Sequence, residues 1–112
     1  MVHMNKMNKE VKSEFDLCLD YISKIEGVLQ IYLFGSYANG EPNENSDIDI
    51  FIVVKDDVNT LKTMQKISLD LCDKKIALDI IADTDSDFKK RSATDRFTLQ
   101  RDIKDNGVLL YG

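Results

Sequence analysis

The stretch Val28-Leu29-Gln30-Ile31-Tyr32-Leu33-Phe34-Gly35-Ser36-Tyr37-Ala38-Asn39-Gly40, followed by Ser46-Asp47-Ile48-Asp49-Ile50, decides the fold. Its first seven residues form an apolar run of the length and composition of a buried strand. A second run, Ile48 to Val54, is rich in β-branched residues. A Gly-Ser pair therefore closes one strand and an Asp-x-Asp pair opens the next. Side chains alternate faces along a strand, so Asp47 and Asp49 point one way while Ile48 and Ile50 point the other. Two carboxylates on one face repel each other unless a cation lies between them. Oxygen-only ligands of this kind suit Mg²⁺ or Mn²⁺. Gly35 permits close backbone approach, and the N–H groups that follow, opening a short helix, can receive phosphate oxygens. A phosphate cradle beside a carboxylate pair points to metal-assisted transfer of a phosphate-bearing group.

The rest of the chain surrounds these two strands. Val11, Phe15, Cys18, Ile22 and Ile25 fall at alternating four- and three-residue steps and predict an amphipathic helix, with Gly27 as its C-cap. Residues 36–40 have room for about one helical turn, at 3.6 residues per turn. Gly40 to Asn45 reads as a polar loop containing Pro42. Leu61, Met64, Ser68 and Leu71, with Ile67 widening the apolar face, predict a second long helix. A third strand is expected over Ile76 to Ala82. Its near-continuous apolar character implies that both faces are covered. An unpaired carboxylate inside such a strand is costly, so Asp79 needs a reason to be there. Asp83 to Lys90 reads as a turn and short helix. Thr94 or Asp95 can cap a last helix containing Phe97, Leu99 and Ile103, ended by Asn106-Gly107, before a short edge strand from Val108 to Tyr111. This order predicts an α/β (α+β) domain, a small mixed sheet flanked by helices, spanning residues 1–112 with residues 1–5 as a flexible tail.

The 112 residues suffice for one core, and 43% hydrophobic with 31% charged residues describes an ordinary soluble globular protein. No apolar run reaches membrane-span length and no signal-peptide pattern opens the chain, which places the expected location in the cytoplasm. Cys18 and Cys72 lie far apart within helical patterns and read as buried, reduced thiols. The net charge of −5 is concentrated in one segment: between Gly35 and Asp57 stand Glu41, Glu44, Asp47, Asp49, Asp56 and Asp57 against Lys55 alone. Such a mouth repels a triphosphate unless divalent metal neutralises it, and disfavours direct binding to a nucleic-acid backbone. Lys89, Lys90, Arg91, Arg96 and Arg101 read first as a solvated helical face, with a phosphate clamp or a docking patch for an acidic partner as the alternative. The single histidine, His3, lies in the tail, so the chemistry is expected to use metal rather than imidazole.

Gly35-Ser36, ten residues, then Asp47-Ile48-Asp49 resembles the signature of the DNA polymerase β-like nucleotidyltransferase superfamily. The fuller run Gly35-Ser36-Tyr37-Ala38-x-Gly40 leading to Ser46-Asp47-Ile48-Asp49, together with the short length, resembles its minimal nucleotidyltransferase branch. The family's third carboxylate, on a later strand, matches Asp79 in Ile76-Ala77-Leu78-Asp79-Ile80-Ile81. The resemblance runs from Val28 to Gly112. It implies that Asp47, Asp49 and Asp79 are catalytic and bind two Mg²⁺ ions, that Gly35 and Ser36 hold the phosphates of ATP, and that nucleoside monophosphate is transferred with loss of pyrophosphate. Family members often carry a basic residue just after the Gly-Ser pair, where this chain has Tyr37 and Asn39. Larger relatives add a helical domain for the base and second substrate. A partner protein or a second copy of this chain is therefore expected to complete the pocket. The minimal branch occurs as the antitoxin of two-gene toxin–antitoxin modules beside a helical HEPN-type ribonuclease. The implied function is adenylylation of that toxin on a protein hydroxyl. Its alternatives are nucleotidyl transfer to a small molecule such as an aminoglycoside, and a non-catalytic antitoxin acting by binding.

Overall fold

A computed structural model of the chain describes residues 8–39 and 47–112. Gly40, Ser46, the loop holding Glu41, Pro42 and Glu44, and the expected tail with His3 lie outside the described residues. In chain order the elements are α1 (Lys9–Ser23), β1 (Val28–Phe34), α2 (Ser36–Asn39), β2 (Ile48–Val54), α3 (Thr60–Asp70), β3 (Leu78–Thr84), α4 (Asp85–Ser92), α5 (Leu99–Asn106) and β4 (Val108–Tyr111). The four strands form one sheet in the order β3-β2-β1-β4. β1 pairs antiparallel with both β2 and β4, whereas β3 runs parallel to β2. The sheet is mixed, as the sequence predicts, and β1, β2 and β4 occupy the expected residues.

Strand alternation sends Ile48, Ile50, Ile52 and Val54 to one face, where they pack with Ile31 and Leu33 of β1, Phe15 and Ile22 of α1 and Ile67 of α3. The opposite face carries Phe51 and Val53, covered by Phe88 of α4 and Ile103 of α5. Phe88 stacks in tilted fashion on Tyr32 and Phe51, with ring centroids 5.6 and 5.3 Å away. β2 is thus buried on both sides, which explains its unbroken apolar character. Each longer helix starts on a side-chain cap: Asn8 accepts from the Val11 N–H, Asn59 from Lys62, Thr84 from Asp87 and Thr98 from Arg101. Such a cap contributes about 1 kcal/mol. Tyr21 donates its hydroxyl proton to Asp70, which also accepts from Lys66, and this cluster ties α1 to α3.

Several expectations are corrected. β3 begins and ends two residues later than the apolar run suggests, and at the edge of the sheet its faces are only partly covered rather than both buried. Asp79 is consequently exposed, and the buried acid of this strand is Asp83. Gly27 does not cap α1, which ends at Ser23; with φ +91° it makes the tight turn into β1. The buried residues of α3 are Thr63 and Ile67, while Leu61 and Ser68 face outward, and Thr63 donates its hydroxyl back to the Asn59 carbonyl. α5 starts at Leu99 on Thr98, leaving Phe97 outside the helix and 87% exposed. Cys18 is buried, but Cys72 lies exposed in the turn after α3. No helix among the described residues is long and apolar enough to cross a membrane.

Candidate active site

β1 and β2 meet at Phe34 and Asp49, which are paired across the antiparallel register. β2 and β3 meet, in parallel, at Asp49 and Asp79. Directly paired residues point to the same side of a sheet. Asp49 and Asp79 therefore stand shoulder to shoulder on the face that carries α4 and α5. Those helices cover Phe51, Val53 and Ile81 further along the strands and Phe34 beside Asp49, and leave Asp79 exposed. The result is a half-buried Asp49 beside an exposed Asp79, at the open end of an otherwise covered face.

Burial pushes the Asp49 carboxyl above the usual carboxylate range, and the negative charges of Asp79 and Asp47 push it further. A hydrogen bond shared with Asp79 acts in the same direction. Asp47, one residue before β2, is exposed and acts on Asp49 through its charge. Among the described residues no three acids, histidines or cysteines are already gathered closely enough to hold an ion. The structure thus brings Asp49 and Asp79 together, on the same face, with Asp47 at its margin.

Gly35 supplies the other wall. Its φ of +74° lies in the left-handed region, where glycine is at home and other residues are strained. A Cβ added there would stand 2.0 Å from Asp49 Oδ2 and 2.9 Å from its Cγ. The missing side chain therefore makes room for the Asp49 carboxylate itself, a closer approach than the sequence suggests. The Gly35 carbonyl accepts from the Ala38 N–H at 3.0 Å, which closes the single turn of α2 that begins at Ser36. Tyr37 and Ala38 are buried beneath this turn and anchor it to the α1/α3 side of the sheet. The loop is held by packing on one side and by the carboxylate on the other.

Beyond the carboxylates, Asp83 is the group that sequence reasoning missed. It is 8% exposed, with Arg91 Nη1 donating to one carboxylate oxygen at 3.1 Å and Gln100 Nε2 donating to the other at 3.0 Å. One buried acid thereby fastens α4 and α5 to β3. The signal was present as an acid at the end of an apolar strand, followed eight residues later by an arginine. Two further cations of this region are engaged locally: Lys89 pairs with Asp85, and Arg101 reaches Asp105 and the Asp95 carbonyl.

Comparison with known proteins agrees with this geometry. The family model described as polymerase beta, nucleotidyltransferase, matches residues 16–112. Two chains of Methanocaldococcus jannaschii, both named "Putative protein adenylyltransferase" (MJ0141 and MJ0604), are similar in sequence. The first is 43% identical over 58 residues, 52% of this chain and 57% of that protein. The second is 33% identical over 95 residues, 80% of this chain and 85% of the other. Among solved structures, a toxin–antitoxin crystallised with AMP-PNP is similar in fold, with a TM-score of 0.54, 24% identity, and coverage of 93% of this chain and 73% of that one. The chain spans little more than half the length of the first M. jannaschii relative and 85% of the second. The chain belongs to the polymerase beta nucleotidyltransferase family.

Proposed function

We propose that this protein transfers AMP from ATP to a hydroxyl group of a partner protein, and that the partner is a toxin of the HEPN ribonuclease type. The observation that carries the reading is the Asp49–Asp79 pair with Gly35 set against it. Two carboxylates held on one open face, one with its pKa raised by burial and by its neighbours' charge, form a site that is electrostatically incomplete. All its donors are carboxylate oxygens, the chemistry that suits Mg²⁺. Asp47, Asp49 and Asp79 would hold the metal, which when bound supplies charge neutralisation at the attacking and leaving oxygens. Gly35 and Ser36 carry the phosphates: the loop's backbone approaches the triphosphate closely, and the Ser36 hydroxyl and N–H groups donate to its oxygens. Tyr37 and Ala38 hold that loop in place from below. Names borne by similar proteins support the protein-directed reading, since two relatives are named as adenylyltransferases of proteins and one fold neighbour is a toxin–antitoxin with a nucleotide analogue.

The test is co-expression of this chain with the product of its neighbouring gene, followed by incubation of the complex with ATP labelled at the α-phosphorus. The expected outcome is Mg²⁺-dependent label on the partner, lost in Asp47→Asn. Full neutralisation of the partner by Asp47→Asn, with no label on it from the unsubstituted protein, would refute transfer and leave a protein that acts by binding.

A further inference from the structure

β3 is an edge strand whose outer side is unpaired among the described residues. The register pairs Ile48 with Leu78, and the Ile48 N–H donates to the Ala77 carbonyl at 2.9 Å. In a parallel ladder this sets the backbone groups of Asp79 and Ile81 toward β2 and those of Leu78 and Ile80 outward. Bare strand edges are templates for adding another strand. The two sides of this edge differ in chemistry. On one face Asp79 is exposed beside Asp49. On the other, a cleft of about 170 Å³ between β3 and the end of α3 is lined by the aliphatic side chains of Leu71, Ile76, Leu78 and Ile80, with Ser68, Cys72 and Lys74 at its margins.

We infer that the acceptor is presented as an extended segment that adds to the outer edge of β3, placing a hydroxyl side chain beside Asp79 and its flanking apolar side chains in the cleft. This rests on the nucleotidyl-transfer reading and specifies how the second substrate is held. An added strand lies about 4.8 Å from β3, so a residue opposite Asp79 is a direct neighbour of the carboxylates. Alternation sends the residues on either side of it to the opposite face, into the cleft beside Leu71, Ile76, Leu78 and Ile80. Residues two positions away return to the carboxylate face, where Asp47, Asp49 and Asp79 together with the triphosphate would outweigh the charge of bound Mg²⁺ and favour lysine or arginine. The occupant is thus an alternating segment of a partner protein, apolar, hydroxyl-bearing, apolar, with a cation two residues from the hydroxyl. In the reaction the hydroxyl oxygen forms a bond to the α-phosphorus, the bridging bond from the α-phosphorus to the β-phosphate oxygen breaks, pyrophosphate leaves, and the hydroxyl proton passes to water. Pairing along the backbone fixes the hydroxyl by main-chain hydrogen bonds.

The probe is a capped nine-residue peptide with a central tyrosine, an isoleucine on each side and lysines two positions away. Binding is read by amide hydrogen exchange of Leu78 and Ile80 on the full chain with ATP and Mg²⁺, and transfer by the mass of the peptide. Protection of these two amides, together with an AMP mass increase on the tyrosine, is expected. N-methylation of the peptide at a position facing β3 should weaken binding about tenfold, the fold-change equivalent to one net hydrogen bond, while N-methylation at the next residue should not. Ile80→Pro removes one outward N–H and should have the same effect; the modified peptides make the test independent of whether that variant folds. Equal binding by both methylated peptides overturns the proposal. So does labelling of the partner in the complex without protection at Leu78 and Ile80, an outcome that leaves the nucleotidyl-transfer reading intact. Protection of the same amides by raised protein concentration alone would assign the edge to a second copy and overturn it as well. Register-specific protection without any transfer to peptide or partner would support docking at the edge while refuting the transfer reading.

Discussion

Replacing Gly35 by alanine tests the geometry at the centre of the site. Two separable costs follow from the structure. At φ +74° an alanine is left-handed, a conformation that costs about 1–2 kcal/mol for a residue with a Cβ. The new methyl would also sit 2.0 Å from Asp49 Oδ2, so the carboxylate must swing away. Moving it off its rotamer costs a further ~0.5–1.5 kcal/mol. The expected destabilisation is the sum, roughly 1.5–3.5 kcal/mol, measured by urea unfolding. In an Asp49→Ala background the second contribution disappears, since the nearest remaining atom is the Asp49 Cβ at 3.3 Å. There the same substitution should cost only about 1–2 kcal/mol. The coupling between the two positions in a double-mutant cycle is therefore the measured quantity. Equal cost in both backgrounds would show that Gly35 and Asp49 are not in contact and would refute the account of why glycine stands here. Transfer activity should be lost in Gly35→Ala even where the protein remains folded.

Other outcomes follow from the same contacts. Asp49→Asn should raise the stability of the metal-free protein at neutral pH, by the ~0.2–1 kcal/mol typical of like charges directly opposite across two strands, as read by thermal unfolding. Folding raises the Asp49 pKa, so the folded state holds that proton more tightly than the unfolded chain. Its stabilising contribution is full below the ordinary carboxylate pKa and is lost as pH rises through the raised value, and a stability–pH curve that is flat across this window in wild type would refute the pairing. Mg²⁺ should raise the melting temperature above that window and have no effect below it, where protons compete for the same oxygens; an Asp79→Asn variant should blunt the effect. Asp83→Ala should cost about 1.5–3 kcal/mol, because it removes the charged acceptor shared by Gln100 and the half-exposed Arg91, and urea unfolding of Asp83→Asn should show partial recovery through the Gln100 contact.

Much of the fold was legible because its informative stretches are local. β1, the Gly-Ser turn and β2 announce themselves by apolar runs and a short polar gap, and the structure places both strands at the expected residues. For Asp79 the fold departs from the sequence pattern: an acid in an apolar strand reads as buried, yet the strand is an edge and the acid is exposed. The same reasoning applies to Asp83, four residues on, which is buried and satisfied by Arg91 and Gln100. A sequence pattern reports that a segment is apolar, whereas the sheet order and the overlying helices decide which of its residues are covered. The start of α5 was misread for a related reason. Thr94, Asp95 and Thr98 are all competent caps, and the choice is set by the Thr98 hydroxyl donating back to the Arg91 carbonyl at 2.8 Å, a tertiary contact without a sequence signal.

The placement of Asp79 on an edge strand also bears on how this protein fails. β1 and β2 are adjacent antiparallel neighbours at the centre of the sheet, while β3 follows α3 and, among the described residues, pairs with a single strand. Edge segments open at lower free energy than the core they border. In the metal-free protein the Asp49–Asp79 repulsion adds to that bias, since peeling β3 away separates the two charges. Heat or mild denaturant should therefore disable the site while β1 and β2 are still paired, and inactivation should precede the loss of the bulk of the secondary structure. Amides of β3 exchanging with the same midpoint as those of β2 would show instead that the sheet melts as one unit.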